Sequence, residues 1–272
     1  MGCGDGPASF NAEATRRGGQ VTSVDPLYAF GGVDIQARTT VTYDEILGQL
    51  RNNLDDYVWD TIRSVEQLGQ VRLAAMQDFL ADYDHGRADG RYVDASVVAL
   101  TFPDVAFDLA VCSHFLFLYS SQFGQDFHLT AMCRVATEVR VFPIVSLDGR
   151  QSPYVEECSA DLEKSGFDTV IETVPYEFQR GANQMMRVRP RNGGRHDRRR
   201  LPAPRRRPEH PAGGRDSAAT RGPAAHFRHR SCADHRTVAS RGGDNGPGNR
   251  PRSDEPRPPG TGLTLLRSAG WD

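Results

Sequence analysis

The sequence predicts an α/β protein built on a mostly parallel β-sheet and followed by a tail of different composition. Short apolar, β-branched segments alternate with helical segments up to about residue 189, and glycine-containing turns separate them. After Pro190 the chain becomes rich in arginine, proline and glycine. We therefore expect one domain over residues 1–189 and a separate tail over residues 190–272.

The first segment, MGCGDGPASF, carries glycines at positions 2, 4 and 6. Such a turn lets the backbone pass close to a bound nucleotide, and it normally follows a buried β-strand. Here only Met1 precedes it. We therefore expect the sheet to lack its first strand. The helix that follows should end at Gly18 and Gly19.

A second strand, QVTSVD, follows, and a helical insert over about residues 42–88 then interrupts the alternation. Thr42-x-x-Glu45 and Ser64-x-x-Gln67 have the pattern of capping boxes at helix starts. Apolar side chains recur at helical spacing after each of them. These two helices either pack on the sheet or form a lid over a substrate pocket. Both interpretations stay open, because helical periodicity shows that one face of a helix is buried and not what that face covers.

Strand and helix signals alternate again after the insert. The segments RYVDAS and FDLAVCSHFLFLY contain two apolar strands, a helix follows over about residues 125–136, and EVRVFPIV is the next strand. Another helix opens at Pro153 and ends at Gly166. Two further strands, DTVIETV and NQMMRV, complete the predicted sheet.

Charge and composition restrict the function classes. Residues 1–186 carry 27 acidic against 13 basic side chains, so the domain should repel nucleic acid, and a small-molecule substrate is expected. The five cysteines show no metal-ligand spacing, and we expect no metal site. The chain has no run of about 18 apolar residues and no apolar leader. We therefore expect no membrane partner and a cytoplasmic location.

The tail has a composition that disfavours folding. Arginine, proline and glycine make up 43 of the 86 residues over 187–272, so the segment buries too little apolar surface and should be disordered. Two interpretations stay open. The tail is either an arm whose RHDRRR and PRRRP clusters bind nucleic-acid phosphates weakly, or the product of GC-rich DNA translated out of frame.

An acid stands at a suitable distance from the glycine turn. Asp25 ends the second strand 19 residues after Gly6, where a carboxylate can accept hydrogen bonds from ribose hydroxyls. With TSVDP and RYVDAS…LTF…FDLAVCSH, this pattern resembles class I S-adenosylmethionine-dependent methyltransferases over residues 1–189. It is most similar to bacterial members of undefined substrate that carry a CSHFLFLYS-like stretch. The resemblance implies a Rossmann-like sheet with an antiparallel last strand and S-adenosyl-L-methionine as cofactor.

The resemblance also implies roles for residues at the strand ends. It places the glycine turn under the methionine part of the cofactor, Asp25 on the ribose and Pro26 beside the adenine. The residue after the third strand should contact the adenine amino group. Asp94 matches that position best, but Ser96 is the alternative because the segment 94–100 is longer than usual. The implied cofactor-binding residues are Gly2, Gly4, Gly6, Asp25, Pro26, Asp94, Ser96 and Ser113.

After the fourth strand, His114 is the candidate catalytic residue. The resemblance places it with Ser113 on the methyl group's side of the pocket, and a neutral imidazole can accept a proton near pH 7. The alternative is a histidine packed at a strand end. A hydride-transfer Rossmann enzyme is disfavoured, because its fingerprint needs glycine or alanine where Pro7 stands. Two functions remain: methyl transfer to a small molecule, or a truncated, catalytically inactive relative.

Overall fold

The structure, a computed structural model, describes residues 1–97, 99–120 and 125–191. The predicted tail lies outside these residues from position 192 onward. Seven strands are present in the described part: β1 Gly2–Cys3, β2 Ser23–Val24, β3 Tyr92–Val93, β4 Phe107–Ser113, β5 Ala136–Phe142, β6 Phe167–Thr173 and β7 Gln184–Pro190. The α-helices there are α1 Phe10–Arg16, α2 Gly32–Asn52, α3 Val65–Ala88, α4 Gln125–Val135 and α5 Tyr154–Lys164. Short 3-10 helices cover Pro26–Ala29 and Leu54–Asp56.

The seven strands form one sheet in the order β3-β2-β1-β4-β5-β7-β6. Neighbouring strands are parallel from β3 through to β5, and β7 is antiparallel to both β5 and β6. This confirms the predicted α/β class and the antiparallel last strand. The strand order reverses between β1 and β4. In open α/β sheets, ligands bind in the crevice outside the carboxyl ends of the strands at such a reversal.

The position of the first strand, predicted to be empty, is partly filled. β1 is a two-residue strand parallel to both β2 and β4, in which Gly2 N–H donates to the carbonyl of Thr22 at 2.8 Å. The ammonium group of Met1 donates to the Leu109 carbonyl at 2.7 Å. The prediction of a missing first strand is therefore wrong for residues 2–3, which form the carboxyl end of this strand. Backbone hydrogen bonds hold residues 1–3 between β2 and β4.

The helical insert begins earlier than predicted. α2 starts at Gly32, so the predicted start of the insert at Thr42 is wrong. Thr42 lies in mid-helix, where its hydroxyl donates to the carbonyls of Arg38 at 3.3 Å and Thr39 at 3.2 Å instead of capping a helix end. Val33 and Val41 are each 80% exposed and Ile35 is the one buried apolar side chain over residues 32–41, so this half of α2 lacks the repeated apolar face that marks a helix in a sequence.

The second predicted helix start is confirmed. Ser64 is the N-cap residue of α3, and its side chain accepts a hydrogen bond from the backbone N–H of Gln67 at 3.1 Å. The Gln67 side chain reaches back as in a capping box, but it accepts from the N–H of Arg63, one residue before the cap, at 2.7 Å. In the described ranges every helix is too short or too polar to cross a bilayer.

Packing places α3 of the insert against β3 and against the segment that follows β2. The aromatic rings of Phe79 and Tyr83 on α3 pack against Tyr28 and Tyr92, with ring centroids 4.8 to 6.2 Å apart. α2 packs on α3 through a second buried apolar cluster. That cluster contains Ile46, Leu47, Leu50, Tyr57, Val65 and Leu68. α3 therefore packs against α1 and β3, and α2 lies against α3.

Candidate functional site

One cavity lies at the reversal of strand order, and we call it the crevice. It collects residues from the loops after β1, β2 and β4 and from the first half of α2. Its lining residues are Gly4, Asp5, Gly6, Pro7, Asp25, Pro26, Leu27, Arg38, Thr39, Thr42, Ser113, His114, Phe115 and Tyr119. Six of the predicted site residues are thus brought together: Gly4, Gly6, Asp25, Pro26, Ser113 and His114. The topology explains this, because parallel strands present their carboxyl ends at one edge of the sheet.

The glycines of the turn allow it to pack against the loop after β4 on one side and leave open space on the other. Gly4 and Gly6 have φ of 67° and 58°, in the left-handed region that favours glycine. A Cβ on Gly4 would lie 2.5 Å from the ring of Phe115, so glycine lets the turn pack on the loop after β4. A Cβ on Gly6 would meet no described atom within 4 Å. Gly6 therefore faces open space, where a ligand can approach the backbone.

Asp25 fixes the turn to the end of β2. Its Oδ2 accepts from the N–H of Gly6 at 3.0 Å, and its Oδ1 accepts from the N–H of Leu27 at 2.8 Å. The hydroxyl of Tyr28 donates to the Gly6 carbonyl at 2.9 Å. A carboxylate offers about four lone-pair sites, so these two bonds alone do not exhaust its capacity for hydroxyl donors.

Asp5 is a site residue that sequence reasoning missed. Its Oδ2 accepts from the Ser23 hydroxyl at 2.6 Å, and burial, with a smaller effect of the nearby Asp25, raises the pKa of Asp5 to about 6. A Cβ on Gly2 would overlap the Asp5 carboxylate. Gly2, predicted to bind cofactor, thus lies buried in β1 and makes room for Asp5. The signal in the sequence that could have identified Asp5 is an acidic residue between two glycines of the turn.

His114 directly follows β4 in an unusual conformation. Its φ is 56°, uncommon for a residue other than glycine and concentrated at functional sites. Its N–H donates to the Phe142 carbonyl at 2.6 Å, and its Nδ1 lies 2.7 Å from the hydroxyl oxygen of Ser113. The ring packs edge-on against Phe142 and Tyr176. Burial, and then the positive charge of Arg72, lowers the pKa of His114, so its imidazole is neutral near pH 7.

The structure does not place Asp94 and Ser96 in the crevice. Asp94 directly follows β3, whose Val93 pairs with Val24 of β2, so Asp94 and Asp25 follow neighbouring strand ends. Neither Asp94 nor Ser96 lines the crevice. Their adenine contacts stay predictions.

A second cavity adjoins the crevice between α2, α3 and the glycine turn, and we call it the α2–α3 cavity. Its lining residues are Asp5, Pro7, Ala8, Thr39, Thr42, Tyr43, Ile46, Leu47, Arg72, Ala75 and Met76. It shares Asp5, Pro7, Thr39 and Thr42 with the crevice. Sequence reasoning missed Arg72. The signal was an arginine four residues after Leu68 and four before Met76, on the apolar face of α3.

The sequence and the structure of this chain were compared with those of known proteins. No family model matches the chain. Uncharacterized protein MJ0045 from Methanocaldococcus jannaschii is 27% identical over 191 residues, which cover 68% of this chain and 82% of the relative. A solved structure named "putative RNA methyltransferase PH1948", from Pyrococcus horikoshii, is 14% identical over 57% of this chain and 84% of that chain, with a TM-score of 0.28. At that score the likeness supports no argument about fold or function.

Proposed function

We propose that this chain transfers the methyl group of S-adenosyl-L-methionine to a small-molecule acceptor. One observation carries the proposal: the glycine turn, Asp25, Ser113 and His114 converge on one crevice at the reversal of strand order. The methyltransferases that the sequence resembles hold their cofactor with these same elements. The antiparallel β7, also implied by the resemblance, supports the proposal further.

The chemistry of the crevice suits this cofactor. Open space over Gly6 allows the methionine part to approach the backbone, and the Asp25 carboxylate suits the two ribose hydroxyls. Asp5 and Asp25 together favour a cationic ligand such as a sulfonium. Arg38 of α2 stands on the wall of the crevice, where it would pair with the methionine carboxylate. When bound, the cofactor supplies a methyl group made electrophilic by the sulfonium.

The residues at the end of β4 would accept the proton that the methyl acceptor loses. With the cofactor bound, the acceptor's nucleophilic atom would bond to the methyl carbon while the carbon–sulfur bond breaks and the electron pair of that bond goes to sulfur. His114, neutral near pH 7, takes the proton that the acceptor loses. In the tautomer that this role requires, Nδ1–H of His114 would donate to the Ser113 hydroxyl oxygen, which orients the ring and leaves Nε2 unprotonated for the acceptor.

Calorimetric titration of the full chain tests the proposal. We expect S-adenosylmethionine and S-adenosylhomocysteine to bind with micromolar dissociation constants, whereas NAD⁺ gives no heat of binding. Absence of binding by both sulfur compounds would contradict methyl transfer and favour the catalytically inactive alternative. Binding of NAD⁺ in their place would show that the crevice serves a dinucleotide.

A further inference from the structure

We propose that Arg72 binds the carboxylate of the methyl acceptor in the α2–α3 cavity, and that the acceptor is a small monocarboxylic acid with an apolar body. The proposal rests on the methyl-transfer function argued above and names the substrate class of that site. It starts from an arginine whose charge has no counter-ion in the described part of the chain.

Arg72 is half-buried on α3 and lines the α2–α3 cavity. Within the described ranges it makes no ion pair with an Asp or Glu side chain and no hydrogen bond to a protein acceptor. Arg91 shows the usual arrangement, because its guanidinium pairs with both oxygens of Asp82 at 2.7 Å. Taking a cation partly out of water without an anion is costly, so a site that keeps one is suited to an anionic ligand.

The side chains whose charge state acts on the Arg72 guanidinium are phenols and not carboxylates. The phenols that interact electrostatically with it belong to Tyr57, Tyr176, Tyr119 and Tyr43, which come from four separate segments of the chain. A phenol donates a hydrogen bond to an anion as readily as to water. Arginine presents a planar fork that matches a carboxylate with two parallel hydrogen bonds. Arg72, with the phenol of Tyr43 in the same cavity lining, therefore suits a single carboxylate.

The walls of the α2–α3 cavity define the rest of the ligand. Ile46 and Leu47 of α2 and Ala75 and Met76 of α3 give it apolar sides, which would contact a hydrocarbon or aromatic body. The excess of acidic side chains in residues 1–186 disfavours ligands that carry several negative charges. A monoanion with an apolar body meets both conditions.

The α2–α3 cavity lies where an acceptor must lie. It shares the lining residues Asp5, Pro7 and Thr39 with the crevice, and the charge of Arg72 is near enough to lower the pKa of His114. A carboxylate paired with Arg72 is a poor nucleophile. The atom that receives the methyl group is therefore a second group on the same molecule, directed toward Ser113 and His114.

Calorimetric titrations with benzoate and hexanoate test this inference on the full chain, and the corresponding amides are the uncharged controls. We expect at least one acid to bind with a dissociation constant below about 10 mM and at least tenfold more tightly than its amide. Arg72→Met should remove this preference. Arg51→Met is the matched control, because Arg51 pairs with Glu66 on the exposed side of the same two helices at 3.2 Å, and it should bind like the wild type.

The same variants are titrated with S-adenosylmethionine, so that the two proposals can fail separately. Loss of the carboxylate preference with cofactor affinity unchanged within about twofold supports the role of Arg72. Equal binding of acids and amides by the wild type, or an unchanged preference in Arg72→Met, would overturn it whether or not the cofactor binds. Should Arg72→Met fold poorly, Arg72→Lys keeps the charge without the fork, and it should lose at least half of the preference.

Discussion

Asp25 Oδ2 accepts a hydrogen bond from the backbone N–H of Gly6 at 3.0 Å, which ties the end of β2 to the turn after β1. The acid that would hold the ribose therefore also shapes the loop that would hold the methionine part. Removing this carboxylate should affect both the position of the loop and the binding of the cofactor.

Asp25→Ala should weaken S-adenosylmethionine binding at least tenfold and lower the melting temperature. A hydrogen bond to a charged group contributes about 1.5–3 kcal/mol, and a factor of ten in affinity corresponds to about 1.4 kcal/mol. Calorimetry and thermal denaturation measure the two effects. Asp44→Ala, which removes an exposed acid of α2, is the control. An unchanged dissociation constant in Asp25→Ala would remove Asp25 from the site.

Gly6→Ala and Gly18→Ala form a matched pair that tests which face of the turn meets the ligand. Both glycines have positive φ, 58° and 84°, and a Cβ on either would meet no described atom within 4 Å. Each substitution should cost about 1–2 kcal/mol of stability from backbone strain alone. Only Gly6→Ala should also weaken S-adenosylmethionine binding. Equal affinities in the two variants would show that the space over Gly6 is not used by the cofactor.

Asp5 should make stability depend on pH. Its pKa in the folded protein is about 6, above the usual 3.8, so the folded chain binds more protons than the unfolded chain between about pH 4 and 6. The contribution of Asp5 to stability therefore falls as pH rises through this window, by up to about 3 kcal/mol. Asp5→Asn keeps a partner for Ser23 and should be more stable than the wild type at pH 7. Melting temperatures from pH 4 to 8 check this, and parallel curves for both proteins would contradict it.

Arg72→Met should raise the pKa of His114. Burial, the larger of the two causes that lower this pKa in the wild type, remains in the variant, but the positive charge that lowers the pKa further is removed. An NMR pH titration of the histidine ring signals measures the change, and the signal is assigned by its loss in His114→Asn. A carboxylate bound at Arg72 should raise the same pKa. If neither change moves the titration, Arg72 does not act on His114.

The sequence predicted six of the seven strands, β2 to β7, because short apolar segments followed by glycines and acids are local patterns. It misplaced the start of α2, where Val33 and Val41 are each 80% exposed and give no apolar face. The roles of Asp5 and Arg72 could not be predicted in the same way. They depend on which side chains approach from distant segments, such as Ser23 toward Asp5 and Tyr176 toward Arg72.

The first strand of the sheet is short, and the sheet has room for more residues before Met1. The ammonium of Met1 occupies the place of a strand N–H opposite the Leu109 carbonyl, and burial lowers the pKa of this ammonium group. Next to it, a cavity of about 640 Å³ is bordered by residues 20–22 before β2 and 106–109 at the start of β4. A strand in this cavity would pair with both neighbours and bury apolar side chains on each face of the sheet.

We therefore expect that a short apolar, β-branched segment ending in Asp-Leu, added before Met1, raises the melting temperature and the S-adenosylmethionine affinity together. The addition turns a buried ammonium into an amide that still donates to Leu109, and each buried apolar side chain contributes about 1.5–3 kcal/mol. The affinity should rise because the strand fixes where the glycine turn begins. An extension of equal length made of glycine and serine is the control, since it gives the same amide without the apolar side chains. Equal melting temperatures for the two extensions would show that the cavity beside Met1 does not accept a strand.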